Sequence, residues 1–219
     1  MNNNISTAYL ILIIVPLFFG CGGPITAENK NNASPSSISL HVGDEKYFII
    51  DKKQSVVTWK GSMLLESAEE SIGYVYISKG ELMIEKGQLV SGTVEIDMNT
   101  IEYKDKTNKN TPVKHLKSPD FFDVEKFPIS TITITGVASV SGKTIKITGD
   151  LTIKGVTRPV TFPAKMEVKD GILKANGKLI IDRTDWGIRY RSGKFYDIVA
   201  DEIVSDDIEF YMNIVAKNK

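Results

Sequence analysis

Few side chains in this sequence can do covalent or metal chemistry. Two histidines and one cysteine in 219 residues are too thin an inventory for a Cys/His nucleophile pair or a metal centre. Reactive groups are densest where His115 stands near Ser118, Asp120 and Asp123. Closeness within one loop does not make a triad, whose members are defined by geometry and role. His115 therefore reads as a loop residue hydrogen-bonded to backbone, and His41 as a solvated one. Carboxylate neighbours such as Glu69 with Glu70 and Asp206 with Asp207 read as solvated turns, and Arg183, Asp185 and Arg189 as a structural ion pair beside the Trp186 turn, with contact to a polar headgroup as the alternative. No catalytic residue, metal-ligand set or cofactor is assigned. A formal net charge of +0 gives no basic footprint for a nucleic-acid partner.

The chemistry that remains is apolar. In residues 143–168 the odd positions Ile145, Ile147, Gly149, Leu151 and Ile153 are apolar or glycine, and Thr, Lys or Asp stand between them. After Gly155 the phase flips, placing Val160, Phe162, Ala164, Met166 and Val168 on the apolar side. A period of two means strands with one dry face. The pair predicts a long antiparallel hairpin, with residues 155–159 (GVTRP) as its turn. Similar alternation at Val90, Gly92, Val94, Ile96 and Met98, at Ile132 and Ile134, at Leu179 and Ile181, and at Ile208, Phe210, Met212 and Ile214 gives further strands. Residues 47–50 and 55–59 read as two short strands separated by a turn at 51–54, and residues 72–84 as β-rich around Lys79 and Gly80.

No long helical pattern interrupts this series, so the fold class is all-β, antiparallel and meander-like. Only residues 102–127 depart, with a short helix expected near 112–117 and Ser118 capping a second turn that carries Phe121 and Phe122. In a barrel such an insertion sits across one mouth. Periodicity alone leaves barrel and sandwich both open.

The N-terminal residues read as a processing signal. Ala8 to Phe19 are a dozen apolar residues, too few to span a bilayer and suited to a signal h-region. Phe18-Phe19-Gly20-Cys21 resembles a bacterial lipobox, with Cys21 as the lipidated residue. The alternative is an ordinary secretory signal with a stray cysteine. Residues 1–20 are thus expected to be a signal peptide, and residues 21–44 the lipidated cysteine and a Gly/Pro/Asn/Ser-rich tether reaching about 25–30 Å. Residues 45–219 are expected to be the β-barrel domain. Gly22 and Gly23 supply no acidic retention signal, which places the expected lipoprotein in the cell envelope, on the outer membrane facing the periplasm. The membrane is its partner through the lipid anchor, and a homodimer is compatible with these features.

Three segments together resemble the YceI-like family: residues 115–124 (HLKSPDFFDV), residues 149–160 (GDLTIKGVTRPV) and residues 183–188 (RTDWGI). The resemblance covers residues 47–217. It implies a lipocalin-like antiparallel β-barrel of about eight strands, and a secreted or lipoprotein-anchored protein that encloses an isoprenoid or other apolar lipid tail. Trp186 stands where many members have Phe. By phase, the tunnel candidates are Val94, Ile96, Ile132, Ile134, Leu151, Ile153, Phe162, Ala164, Leu179 and Phe210, with Phe121, Phe122 and Trp186 as aromatic gates or walls. The competing reading is an envelope assembly or interaction module with a filled barrel core.

Overall fold

A computed structural model describes residues 45–62, 70–107 and 111–219. The expectations for the signal peptide, Cys21 and the tether lie outside the described residues. Nine strands are present: β1 (Glu45–Ile50), β2 (Val56–Gly61), β3 (Ser71–Glu85), β4 (Gln88–Tyr103), β5 (Ile129–Ser141), β6 (Thr144–Ile153), β7 (Val156–Lys169), β8 (Ile172–Asp182) and β9 (Asp207–Asn218). A single helical turn, α1 (Val113–Leu116), lies between β4 and β5.

The nine strands fill eight positions. Both β1 and β2 pair antiparallel with β3, β1 against Glu81 to Glu85 and β2 against Ser71 to Val75. Both also pair with β9 on their other side. The turn at residues 51–54 separates the two strands as expected, but it does not reverse the chain, so β1 and β2 share one barrel position. A side chain repairs the ladder there. Ser55 Oγ donates to the carbonyl of Val215 at 3.1 Å and accepts from the Val215 amide at 2.9 Å, bridging the ladder where the turn interrupts it. With β3–β4 and every later neighbour paired in sequence order, the sheet closes into an eight-strand antiparallel barrel. Closure leaves no edge strand exposed.

The connections alternate in length, and that alternation positions the site. Where β3 meets β4, β6 meets β7 and β8 meets Asp170-Gly171 from β7, the turns are Lys86-Gly87, Lys154-Gly155 and Asp170-Gly171, each with φ positive at both residues. That is the type I′ geometry whose twist suits a hairpin. The β6–β7 turn is therefore Lys154-Gly155 rather than residues 155–159: Ile153 pairs with Val156 and Thr152 with Thr157, so Arg158 and Pro159 already belong to β7. The long connections, residues 104–128 between β4 and β5 and residues 183–206 between β8 and β9, both emerge at the end where β2 stops and β3 starts. One mouth carries the long loops, and apart from Lys154-Gly155 the tight turns close the other.

Packing divides the barrel along its axis. The half with the tight turns is filled by Phe48, Ile50, Leu82, Ile84, Leu89, Ile147, Phe162, Ala164, Leu173 and Ala216, all buried. The phase of β3 and β4 is broken by register shifts near Tyr74/Tyr76, Ile77/Lys79 and Met83/Ile84. A β-bulge shifts side chains to the other face. In β4 this makes Leu89 the buried residue at the start of the strand and leaves Val90 only half-buried, against the alternation expected from Val90 onward.

Candidate functional site

The mouth half holds a cavity of about 230 Å³. Its wall combines strand residues with the two long loops. From the strands come Val57, Trp59, Gly61, Ser71, Val75, Ile96, Met98, Ile101, Ser130, Ile132, Leu151, Ile153, Leu179, Asp207, Ile208, Phe210 and Met212; from the connections come Ser62, Pro112, His115, Leu116, Phe121, Phe122, Arg183, Tyr190, Val204 and Ser205. Nearly all of this surface is aliphatic or aromatic.

Of the residues expected to line a tunnel, Ile96, Phe121, Phe122, Ile132, Leu151, Ile153, Leu179 and Phe210 meet at this cavity. Val94, Ile134, Phe162, Ala164 and Trp186 are not in its wall. Val94 and Ile134 lie one inward step deeper than Ile96 and Ile132, toward the filled half. Phe162 and Ala164 lie deeper still, opposite Ile147 and Ile145. A Cβ built on Gly177 would meet Phe162 Cε2 at 3.3 Å and Ala164 Cβ at 3.5 Å, so both pack close against the bare backbone of β8. Trp186 is 3% exposed, in the short 3-10 turn after β8, and its Nε1 donates to the carbonyl of Leu151 at 3.1 Å. It braces the loop against β6 and is not a gate.

The loop over the mouth is built as expected in outline and differently in detail. Ser118 caps the second turn with its carbonyl, which accepts from the amides of Phe121 and Asp123; its hydroxyl donates back to the carbonyl of His115 at 2.7 Å. Two lysines fasten the loop down: Lys117 Nζ donates to the carbonyl of Asn99 and Lys154 Nζ to that of Pro119. Phe121 and Phe122 are buried. The His115 ring packs at 4.1 Å from Tyr190 and edge-on at 5.3 Å from Phe121. His115, expected as a backbone-bonded loop residue, is thus part of an aromatic lid over the cavity. Its Nε2 is buried without a hydrogen-bond partner among the described residues. Nothing local in the sequence marks it, because Tyr190 lies on the other loop, 75 positions away by numbering.

Arg183 organises the second loop. It is 0% exposed, and its guanidinium donates to the carbonyls of Ser205, Ile188 and Val204 at 2.8–2.9 Å. It also pairs with Asp206 Oδ1 at 3.1 Å and faces the Phe121 ring at 5.4 Å. Burial pulls its pKa below the usual guanidinium value, against the opposing pull of Asp206 and Asp182. A buried charge needs such partners to be tolerated. The ion-pair reading of Arg183 holds, with Asp206 as the acid; Asp185 instead accepts Arg158 Nε through its backbone carbonyl.

Inside the barrel Trp59 Nε1 and Ser130 Oγ are buried without a hydrogen-bond partner among the described residues. Ser130 shares the inward phase of Ile132 and Ile134, so periodicity could have placed it inside. Among the described residues no group of three or more His, Cys, Asp or Glu is placed to hold a metal.

A model of the YceI-like domain matches residues 48–216. The chain belongs to the YceI-like family. A UPF0312 protein of Pseudomonas putida is 33% identical over 154 residues, which is 64% of this chain and 75% of that protein. Among solved structures, BcnA of Burkholderia cenocepacia covers 77% of this chain and 99% of its own, at TM-score 0.59 and 21% identity. A polyisoprenoid-binding domain from Saccharophagus degradans, implicated in plant cell wall breakdown, covers 79% and 98% at TM-score 0.55 and 11% identity. At these identities the two structures share the fold with this YceI-like chain.

Proposed function

We propose that this YceI-like barrel binds one apolar lipid tail, an isoprenoid or a similarly featureless chain, and sequesters or carries it in the cell envelope. The observation that carries the reading is the apolar cavity in the mouth half, under an aromatic lid and above a filled floor. At about 230 Å³ it falls just below the roughly 300–1,000 Å³ of clefts for drug-sized ligands, a size that suits a thin chain better than a fused ring system. The polyisoprenoid named for the Saccharophagus degradans domain is consistent with such a ligand.

Recognition of a hydrocarbon tail rests on area. At about 0.8 kcal/mol per buried carbon, three or four isoprene units would offer on the order of 12–16 kcal/mol of gross transfer energy. Ordering the flexible tail offsets much of that. Each methylene changes affinity only about fourfold, so length selection is weak. The site is read as a binding site rather than a catalytic one, since Ser118 turns its hydroxyl to a carbonyl and not to the His115 ring.

Mass spectrometry of organic extracts of the purified protein tests this, and a stoichiometric apolar lipid is the expected result. If no lipid is recovered and none binds on addition, the interaction-module reading takes its place. The lipid anchor at Cys21 is part of the proposal: Cys21→Ser is expected to move the protein from the membrane fraction to the soluble one, and a variant that stays membrane-bound with unchanged mobility would show that anchoring lies elsewhere.

A further inference from the structure

Among the described residues, the large apolar side chains left exposed on the barrel strands stand no more than two to a strand. The connection between β8 and β9 differs: Phe195, Tyr196 and Val199, within five residues, are 46%, 51% and 65% exposed. A built turn holds them out. Ser192 is 0% exposed, its carbonyl accepts from the amides of Phe195 and Tyr196 at 3.0 and 3.1 Å, and its hydroxyl donates to Asp206 Oδ2 at 3.0 Å. The Val204 amide donates to the carbonyl of Arg191 at 2.9 Å. Apolar surface gathered in one place and held toward solvent marks an interaction site. Tyr190 and Val204 of the same connection line the cavity, whereas Phe195, Tyr196 and Val199 do not, so this surface belongs to the rim of the mouth.

Cations accompany the aromatics. Residues 186–196 hold Arg189, Arg191 and Lys194 and no acid; Asp185, Asp197 and Glu202, exposed acids of the connection, flank that segment. Lys194 is committed to Asp182 and Asp206, and Arg183 to Asp206. Arg189 and Arg191 are exposed and form no ion pair among the described residues. The Arg189 guanidinium lies instead 4.5 Å from the Phe195 ring centre, and that of Arg191 5.6 Å from that of Tyr190. Rings that carry a polar tip or a stacked arginine suit the boundary of a bilayer, with the ring among acyl chains and the charge at the phosphates. A protein interface of ordinary size, about 800 Å² a side, needs a broader apolar core than three side chains supply.

We infer that residues 189–199 dock the mouth of the barrel onto an anionic bilayer surface, with Phe195, Tyr196 and Val199 entering below the headgroups and Arg189 and Arg191 meeting the phosphates. The inference goes beyond the cavity and its ligand, and names the surface through which the mouth meets a membrane. A tail that passes between bilayer and cavity at a docked mouth is not exposed to water on the way. Docking is distinct from anchoring. The strand β1 begins at Glu45 opposite Glu85, beside the tight turn Lys86-Gly87. The chain ahead of Glu45 therefore joins the barrel at its filled end, and an anchor there does not bring the mouth to the membrane.

The test is fluorescence of the full chain carrying Phe195→Trp, mixed with vesicles of phosphatidylglycerol and phosphatidylcholine whose acyl chains are brominated. The native indoles, Trp59 and Trp186, are 7% and 3% exposed, so the exposed position 195 adds a surface reporter and leaves the core alone. An emission loss beyond that of the parent chain is expected. Tyr47→Trp, at the filled end where Tyr47 is 43% exposed, is expected to add none. In the Phe195→Trp chain, Arg189→Gln and Arg191→Gln are each expected to raise the vesicle concentration for half-maximal loss about fivefold, less in high salt. Val199→Ser is expected to raise it about tenfold. No added loss with Phe195→Trp, an equal loss with Tyr47→Trp, or arginine variants without effect would overturn docking by this face. None of the substituted residues is in the cavity wall, so lipid extraction judges the cavity reading separately and either can fail alone.

Discussion

Single residues hold this barrel together where the backbone cannot. Ser55 is buried; its Oγ accepts from the Val215 amide and donates to the Val215 carbonyl, which also accepts from the Asp51 amide at 2.8 Å. Ser55→Ala leaves the Val215 N–H without that partner and removes one of the two donors to its C=O, and urea unfolding is expected to show a loss of about 1–3 kcal/mol. Arg183→Met is a harsher change, because three carbonyls lose their common donor and Asp206 its buried counter-ion at once. Breaking a buried pair from one side costs about 3–5 kcal/mol, and loss of the 183–206 loop's order should appear as faster proteolysis within it. The kink between β1 and β2 also carries a titrating group. Lys217, then Gln54, hold the Asp51 carboxyl down to about 2 from an ordinary 3.8. A depressed folded-state pKa means stability that is fully present above about pH 4 and lost as pH falls toward 2. Asp51→Asn is therefore expected to lower the melting temperature at pH 7 and to make no difference near pH 2. A difference that persists at low pH would mean that the carboxylate's charge is not what matters.

At the scale of elements, what the sequence discloses follows from what alternation can and cannot record. The strands β5 to β9 were legible because each keeps one phase over most of its length, with Ile132, Leu151, Phe162, Leu179 and Ile208 all buried. The two short first strands were legible too, but not that they share one barrel position, because Asp51 to Gln54 look the same whether a turn reverses the chain or only bends it. In β3 and β4 the bulges hide the phase, since an inserted residue swaps the two faces. The site was half legible for a related reason. Phase tells in from out but says nothing of depth, so Phe162 and Ala164 looked equivalent to Leu151 and Leu179. Glycine marks one place where depth matters. A Cβ on Gly73 would stand 2.0 Å from the Glu102 carbonyl oxygen and 2.3 Å from Trp59 Cζ2. The bare backbone there makes room for the indole that lines the cavity. Gly73→Ala is expected to cost about 1–3 kcal/mol through overpacking and to shift Trp59 fluorescence. Unchanged stability and spectrum would mean the strands part more easily than their packing suggests.

The whole molecule is a barrel filled at one end and hollow at the other, and that division makes the last prediction. The hollow half lies under the long loops because successive connections in an up-and-down barrel alternate ends, so residues 104–128 and 183–206 share a mouth. A bulky side chain should then have opposite consequences according to depth. Ala164 is buried and outside the cavity wall, so Ala164→Phe overpacks the floor, costs about 1–3 kcal/mol and lowers the melting temperature about 2–4 °C for each kcal/mol in a chain of this size. Leu179 faces the cavity. Leu179→Trp extends into empty volume, so it is expected to keep the melting temperature of lipid-free protein within a few degrees while displacing bound lipid. Thermal denaturation and lipid extraction of the two variants, run side by side, read both effects. Equal destabilisation by the two substitutions, with lipid occupancy unchanged in both, would mean that the mouth half is as full as the floor, and the carrier reading would go with it.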